Sequence, residues 1–188
     1  MESLPEIRTL SQRKPAEYLM QLEEMLRELG IVLVCIPGFP HTGIQGAAQW
    51  IDKDKAMIIL KTDGQAQNTP MGEDKFWFNL FHELGHLVLH SKKQTFVDLE
   101  DDPQSEQERE ADDFAVTHLL RDFNESELDQ YRSARGIDGS QAVRGISKRL
   151  GISHSIVAGH LAYLYKERQP QVYAILCGHI GKISYTNV

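Results

Sequence analysis

Phe76-Trp77-Phe78-Asn79-Leu80-Phe81-His82-Glu83-Leu84-Gly85-His86-Leu87-Val88-Leu89-His90 is the stretch on which the reading of this chain turns. Its polar residues are 79, 82, 83, 86 and 90. Those spacings of three and four put them on one narrow stripe of a helix. Every other surface is aromatic or aliphatic apart from Gly85, and a helix apolar nearly all round is a buried helix. Buried polar groups need partners, so the stripe must meet something. His82 and His86 stand at i and i+4 in an H-E-x-x-H pattern, so their imidazoles share a face. Two such nitrogens suit a divalent cation. Glu83 lies beside that face, where a carboxylate reaches a water at the metal without binding the metal itself. The pattern therefore predicts a zinc hydrolase site, with His82 and His86 as ligands and Glu83 as general base.

A catalytic zinc takes three protein ligands and keeps one position open. The candidate segment for the third is Glu106-Gln107-Glu108-Arg109-Glu110-Ala111-Asp112-Asp113-Phe114-Ala115. On a helix, 108, 111, 112 and 115 share a face. Ala111 and Ala115 allow close approach to the histidine helix. Glu108 is then placed as a ligand, and Asp112, one turn on, as acceptor of the outer N–H of a ligating histidine. Two other readings stay open. Ser105-x-x-Glu108 fits a capping box, which would make Glu108 structural. Glu110, elsewhere on the helix, is the rival ligand.

Around these two helices the chain reads as α+β. Residues 15–29 form a helix, with Tyr18, Leu22, Met25 and Leu26 on one side, Pro15 at its start and Gly30 at its end. Strands are expected at 31–36, 44–50 and 56–61, the last two joined by the polar turn 52–55. The acidic stretch 91–107 reads as surface loop, and 125–135 as a short helix. Residues 141–164 read as two helices around Gly151. The runs 172–177 and 182–186 read as a terminal hairpin. The expected architecture is a small three-stranded sheet packed with a helical core, followed by C-terminal helices and that hairpin. A division follows: 1–135 as core, and 136–188 as an extension packed on it.

Composition narrows the function classes. The 188 residues carry a net charge of −7. The C-terminal part is the exception, because residues 131–188 hold eight Lys/Arg against two Asp/Glu. That basic part fits an acidic partner, a nucleic acid or the acidic remainder of its own chain. The N-terminus shows no signal-peptide pattern, and the longest apolar run, 31–36, is far too short to span a membrane. Cys35 and Cys177 are isolated. A reduced, cytoplasmic protein is expected.

The motifs taken together resemble the ImmA/IrrE family of metallopeptidases. The likeness rests on F-W-F-N-L-F-H-E-L-G-H-L-V-L-H at 76–90 and E-R-E-A-D-D-F-A at 108–115. The Trp50 strand, the 56–60 strand and G-I-S-H-S-I-V-A-G-H-L at 151–161 support it. It spans roughly 15–165. The resemblance implies a gluzincin-like, zincin-type core. Its site would be His82, His86 and Glu108 on Zn2+, with Glu83 as base and Asp112 behind a ligand. Mn2+ or cobalt also suits such ligands. It further implies a protein substrate, a helix-turn-helix repressor encoded nearby, and a role in stress response or on a mobile element. Many relatives carry an N-terminal helix-turn-helix domain, and the roughly thirty residues before the first strand are too few for one. Leu119-Leu120-Arg121-Asp122 departs from the family's usual Leu-Leu-Met-Pro at that place.

A different class of function is a regulatory, antitoxin-like module with a latent metal site that binds a partner regulator or DNA. Ile146, Leu150-Gly151-Ile152-Ser153, Val157 and Leu161 follow a helix-turn-helix pattern, with Arg144, Lys148 and Arg149 nearby. The would-be recognition helix, 153–164, contains no Lys, Arg, Asn or Gln to read base edges. Packing on the core is the expected role of these helices, with DNA binding weak or absent. A complete ligand-plus-base set favours the enzyme. His90 reads as a structural residue at a helix end or a substrate contact, and Cys177-x-His179 as part of the hairpin. His118, Tyr131, His154, His160 and Tyr163 are candidates for stabilising an oxyanion.

Overall fold

The computed structural model describes residues 3–37, 44–63, 70–90, 95–99, 105–133 and 136–183; of Ile44 and 95–99 only the backbone is described. Chain order is α1 (Leu4–Thr9), a 3-10 turn (Leu10–Gln12), α2 (Pro15–Glu28), β1 (Ile31–Ile36), β2 (Ile44–Asp52), β3 (Lys55–Lys61), β4 (Met71–Gly72) and α3 (Glu73–Leu89). Then follow β5 (Thr95–Leu99), α4 (Glu106–Leu119), a 3-10 helix (Glu125–Tyr131), β6 (Arg132–Ser133) and β7 (Gly136–Ile137). The chain ends with α5 (Gly139–Leu150), α6 (His154–Tyr165), α7 (Pro170–Cys177) and β8 (Lys182–Ile183). The class is α+β. No described helix is long and apolar enough to cross a membrane.

The three expected strands form one sheet, and a fourth strand joins them in the order β1-β3-β2-β5. β1 runs parallel to β3, with Leu33 opposite Ile58, and β2 runs antiparallel to β3, with Ala48 opposite Ile58. β5 arises inside the stretch read as loop, pairing antiparallel with β2 so that Val97 lies opposite Ala47. That strand is defined by a distant partner, a signal that local polarity conceals. As edge strands, 44–50 or 56–61 could hold an extended substrate by strand addition. Both strands are interior, so the edges belong to β1 and β5.

α3 is the central element. Phe76, Trp77, Leu80, Phe81 and Leu84 are all buried. Tyr18 of α2 packs its ring on Trp77, with centroids 5.0 Å apart, and Phe76 meets Trp77 edge-on at 5.7 Å. β2 crosses α3 with small residues, and its Trp50 Nε1 donates to the Leu87 carbonyl at 3.3 Å. At the start of α3, Glu73 is a buried polar node. Its Oε2 accepts from Ser155 Oγ of α6 at 2.6 Å, and its backbone N–H donates to Gly181 O at 2.9 Å. This node joins α3 to α6 and to the chain end.

The C-terminal helices lie where the pattern puts them. Gly151 caps α5 at φ 65° and ψ 45°, a left-handed conformation that glycine adopts without cost. Ser153 caps α6, accepting from Ser155 N–H. α6 buries Ile156, Val157, Leu161 and Tyr165, so its apolar content goes into packing. Two basic side chains meet the acidic part of the chain: Arg149 Nε donates to Glu127 Oε2 at 2.8 Å, and Arg168 Nη1 stands 3.6 Å from Glu125 Oε1.

The terminal hairpin is a correction. Residues 172–177 belong to α7, and the strand at 182–183 pairs with β4, setting Met71 opposite Ile183. The short apolar run Val172–Cys177 is ambiguous by periodicity alone. Pro170 at the helix start and the buried pair Val172 and Leu176, four apart, decide it. Both side chains pack on Gly139 of α5. The remainder of the expected second strand, 184–186, lies outside the described residues.

α3 and α4 meet at Gly85. A Cβ there would stand 3.2 Å from Ala111 Cα and 3.2 Å from Phe114 Cβ, tighter than nearly all packed side-chain contacts, so α4 would have to give way. Gly85→Val is therefore expected to push α4 away and cost about 1–3 kcal/mol through overpacking. Urea unfolding measures the loss, and zinc titration of the same variant measures any effect on the metal site. Unchanged stability and unchanged zinc binding would show that the close approach is unnecessary.

Candidate metal centre

The middle of α3 and the first half of α4 build the centre. His82 and His86 are 4% and 1% exposed, one turn apart, with ring centroids 4.7 Å apart and planes at 76°. Their Nε2 atoms converge to 3.0 Å. Glu108 Oε2 lies 3.1 Å from His82 Nε2 and 3.4 Å from His86 Nε2. Three donor atoms thus form a small triangle, and these three residues can hold a metal ion.

The triangle fits such an ion by its size. Donors about 2.0–2.2 Å from a tetrahedral zinc stand about 3.3–3.5 Å from one another. The observed edges of 3.0 to 3.4 Å are close to that. The chemistry of the donors agrees. His82 Nδ1 stands 2.9 Å from Asp112 Oδ1. An ionised carboxylate only accepts, so His82 carries its hydrogen on Nδ1 and presents a lone pair at Nε2. His86 is held neutral: burial, then the neighbouring His82 and His90, lowers its pKa to about 3. A lone pair on His82 and a carboxylate oxygen on Glu108 would repel at this separation without a cation or a proton between them.

Ser105 does cap α4, its Oγ accepting from Glu108 N–H at 3.2 Å. The cap uses the backbone of Glu108 and leaves the carboxylate for the histidines, so both roles coexist. Glu110 lies elsewhere, with Oε2 3.0 Å from His90 Nε2. His90 is no lone helix-end residue, since its Nδ1 is 3.0 Å from His86 Nδ1.

Glu83 is 1% exposed and lies on the side of α3 that faces β2. A Cβ built on Gly46 of β2 would overlap its Oε1 and come within 3.0 Å of its Cδ. Gly46 is a site residue that sequence reasoning missed. Nothing local marks it, because its importance comes from the crossing of β2 over α3.

Four of the oxyanion candidates have other neighbours and the fifth is exposed. His118 stacks on Phe114 at 4.2 Å, His160 meets Phe123 edge-on at 5.2 Å, and Tyr163 is 80% exposed. The Tyr131 hydroxyl packs against Gly145 of α5, and His154 lines a separate cavity with Arg13, Lys14 and Glu73. His179 Nε2 pairs with Ser140 Oγ at 2.9 Å.

The sequence places the chain in a class of hydrolases, the peptidases. The family model for Peptidase U49 matches residues 76–170, a span running from α3 into α7 that contains His82, Glu83, His86, Glu108 and Asp112. The chain belongs to the Peptidase U49 family. No curated protein and no solved structure matches it.

Purified protein is expected to carry about one divalent ion per chain. His82→Ala should remove it. Glu108→Gln should weaken it, because the neutral amide is a poorer donor. Metal analysis of the three proteins checks both, and equal metal in all three would show that the ion sits elsewhere.

Proposed function

We propose that this peptidase is a zinc-dependent endopeptidase. The observation that carries the reading is the donor triangle of His82, His86 and Glu108, with the Glu83 carboxylate held on the β2 side of the same helix. A divalent cation bound there supplies Lewis acidity and lowers the pKa of water. Zn2+ is the expected ion, and Mn2+ suits the same donors.

The chain's own residues then divide the work. Asp112 orients the His82 ring by accepting its Nδ1–H. Glu83 takes a proton from the attacking water on its carboxylate and passes it to the departing amine. Apolar neighbours of the stripe, such as Leu80 and Leu84, exclude bulk water and keep the local dielectric low. An extended substrate segment would add to β5, the edge strand beside β2.

The resemblance to ImmA/IrrE at 76–90 and 108–115 supports a helix-turn-helix repressor encoded nearby as the substrate, and with it a part in transcription regulation. Cytoplasmic placement fits the two free cysteines. We read 136–188 as an extension of the 1–135 core, because α6 packs on α3 and shares the Glu73 node. The buried face of α6 favours this packing role over DNA recognition.

Two predictions follow the division of labour. Glu83→Gln should keep the metal and lose about 10²–10⁴-fold in cleavage, the usual worth of a general base. Incubation with regulators encoded beside the gene, read by mass spectrometry of the fragments, tests this. Cleavage by Glu83→Gln at the wild-type rate would remove Glu83 from the chemistry. Gly46→Ala should also keep the metal but displace the Glu83 carboxylate and lower cleavage. If that variant cleaves normally, β2 does not set the position of the base.

A further inference from the structure

Beyond the three ligands lies a chain of contacts from α4 back to His86. Glu110 Oε2 is 3.0 Å from His90 Nε2, and His90 Nδ1 is 3.0 Å from His86 Nδ1. The His90 side chain is 4% exposed, whereas Glu110 is 54% exposed. Each contact contains one hydrogen, and its location can be worked out from the outside inward.

An ionised carboxylate has no hydrogen to give, so His90 donates to Glu110 from Nε2. Neutral imidazole has a single N–H, which leaves His90 Nδ1 with a lone pair. Two lone pairs do not face each other at this distance, so the hydrogen between the rings belongs to His86 Nδ1. His86 Nε2 then carries a lone pair, at the corner of the triangle shared with His82 and Glu108. The opposite arrangement fails at the outer contact, because it sets a His90 Nε2 lone pair against the Glu110 carboxylate, and it is unproductive at the inner end. A hydrogen on His90 Nδ1 would force the His86 hydrogen onto Nε2, aimed at His82 Nε2 where a metal would sit.

We propose that His90, oriented by Glu110, is the positioning residue that fixes His86 in its metal-binding tautomer. His90 does for His86 what Asp112 does for His82. The inference rests on the metal-site reading given under Proposed function. It assigns work to a third histidine of the 82–86–90 series and to the carboxylate that otherwise competes as a ligand.

The test is zinc affinity, measured on the full chain by competition with a chelating dye. His90→Leu fills the space but accepts nothing, and should weaken zinc binding about 10–100-fold. His90→Asn places its amide oxygen close to where Nδ1 stood, and should restore affinity to within about threefold of wild type. His90→Leu with wild-type affinity would overturn the proposal, as would His90→Asn binding no better than His90→Leu. Nitrogen-15 NMR of the zinc-loaded wild type reads the tautomers without any substitution, so poor folding of a variant leaves the test intact. The expected signature is a His90 hydrogen on Nε2 and a His86 hydrogen on Nδ1. A His90 hydrogen on Nδ1 would overturn the proposal. Failure of the wild type to bind zinc would sink the metal-site reading and this inference together. Tight wild-type binding with an unaffected His90→Leu would sink this inference alone.

Discussion

Two histidines on one helix supply only one edge of a metal site, and everything else depends on how near a second helix comes. Gly85 faces Ala111, and the absent side chain on α3 lets the backbone of α4 approach directly. Ala111 and Ala115 are fully buried at that contact. Close-packed helix axes fall at the short end of the usual 8–10 Å range when the contact residues are small. At that separation side-chain length selects the partner atom. Asp112, the shorter acid, reaches the near nitrogen of His82, Nδ1. Glu108, one turn earlier and one methylene longer, reaches the far nitrogen, Nε2. A wider spacing would leave both carboxylates short of their targets and the buried His82 Nδ1–H without its acceptor.

The ends of α3 are secured by different means. At its start, Glu73 is bonded by Ser153 and Ser155 of α6, and Gly181 N–H donates to Ser155 Oγ at 2.9 Å. This buried network binds the chain end to the histidine helix. Buried hydroxyl–carboxylate contacts of this kind are favourable only while every member is satisfied. Toward the other end, the Trp50 indole holds the Leu87 carbonyl. Between them, aromatic packing of Tyr18, Phe76 and Trp77 fixes the rotation of the helix. Rotation matters because it decides whether the polar stripe faces α4 or the apolar core.

What was legible in the sequence was what a single helix can encode. The spacing of His82, Glu83 and His86 shows in the chain itself, as does the face shared by Glu108, Ala111, Asp112 and Ala115. The α+β order followed from punctuation at Pro15, Gly30 and Gly151. What escaped depended on two elements at once. Gly46 is significant only because β2 crosses Glu83. Glu110 and His90 meet only because α3 and α4 align as they do. β5 exists because β2 offers it an edge, although its own neighbourhood is acidic. The run 172–177 is apolar enough for either strand or helix, and Gly139 of α5 decides by receiving Val172 and Leu176 on one face.

The two metal-facing imidazoles are supported unequally, and the inequality has a physical meaning. Asp112 contacts His82 directly, so a full negative charge lies one hydrogen bond behind that ring. Behind His86 stands another imidazole, and the nearest carboxylate on that line, Glu110, is one ring further out. Charge at greater distance raises the donor strength of a ring less. His82 is therefore the stronger donor of the pair and His86 the weaker. Exposure widens the difference, because Glu110 is solvated and screened while the histidines are not. A centre built this way keeps its net negative charge close to one side, next to Glu108 and Asp112. Glu83 lies on the other side of α3, toward Gly46, where β2 packs against its carboxylate.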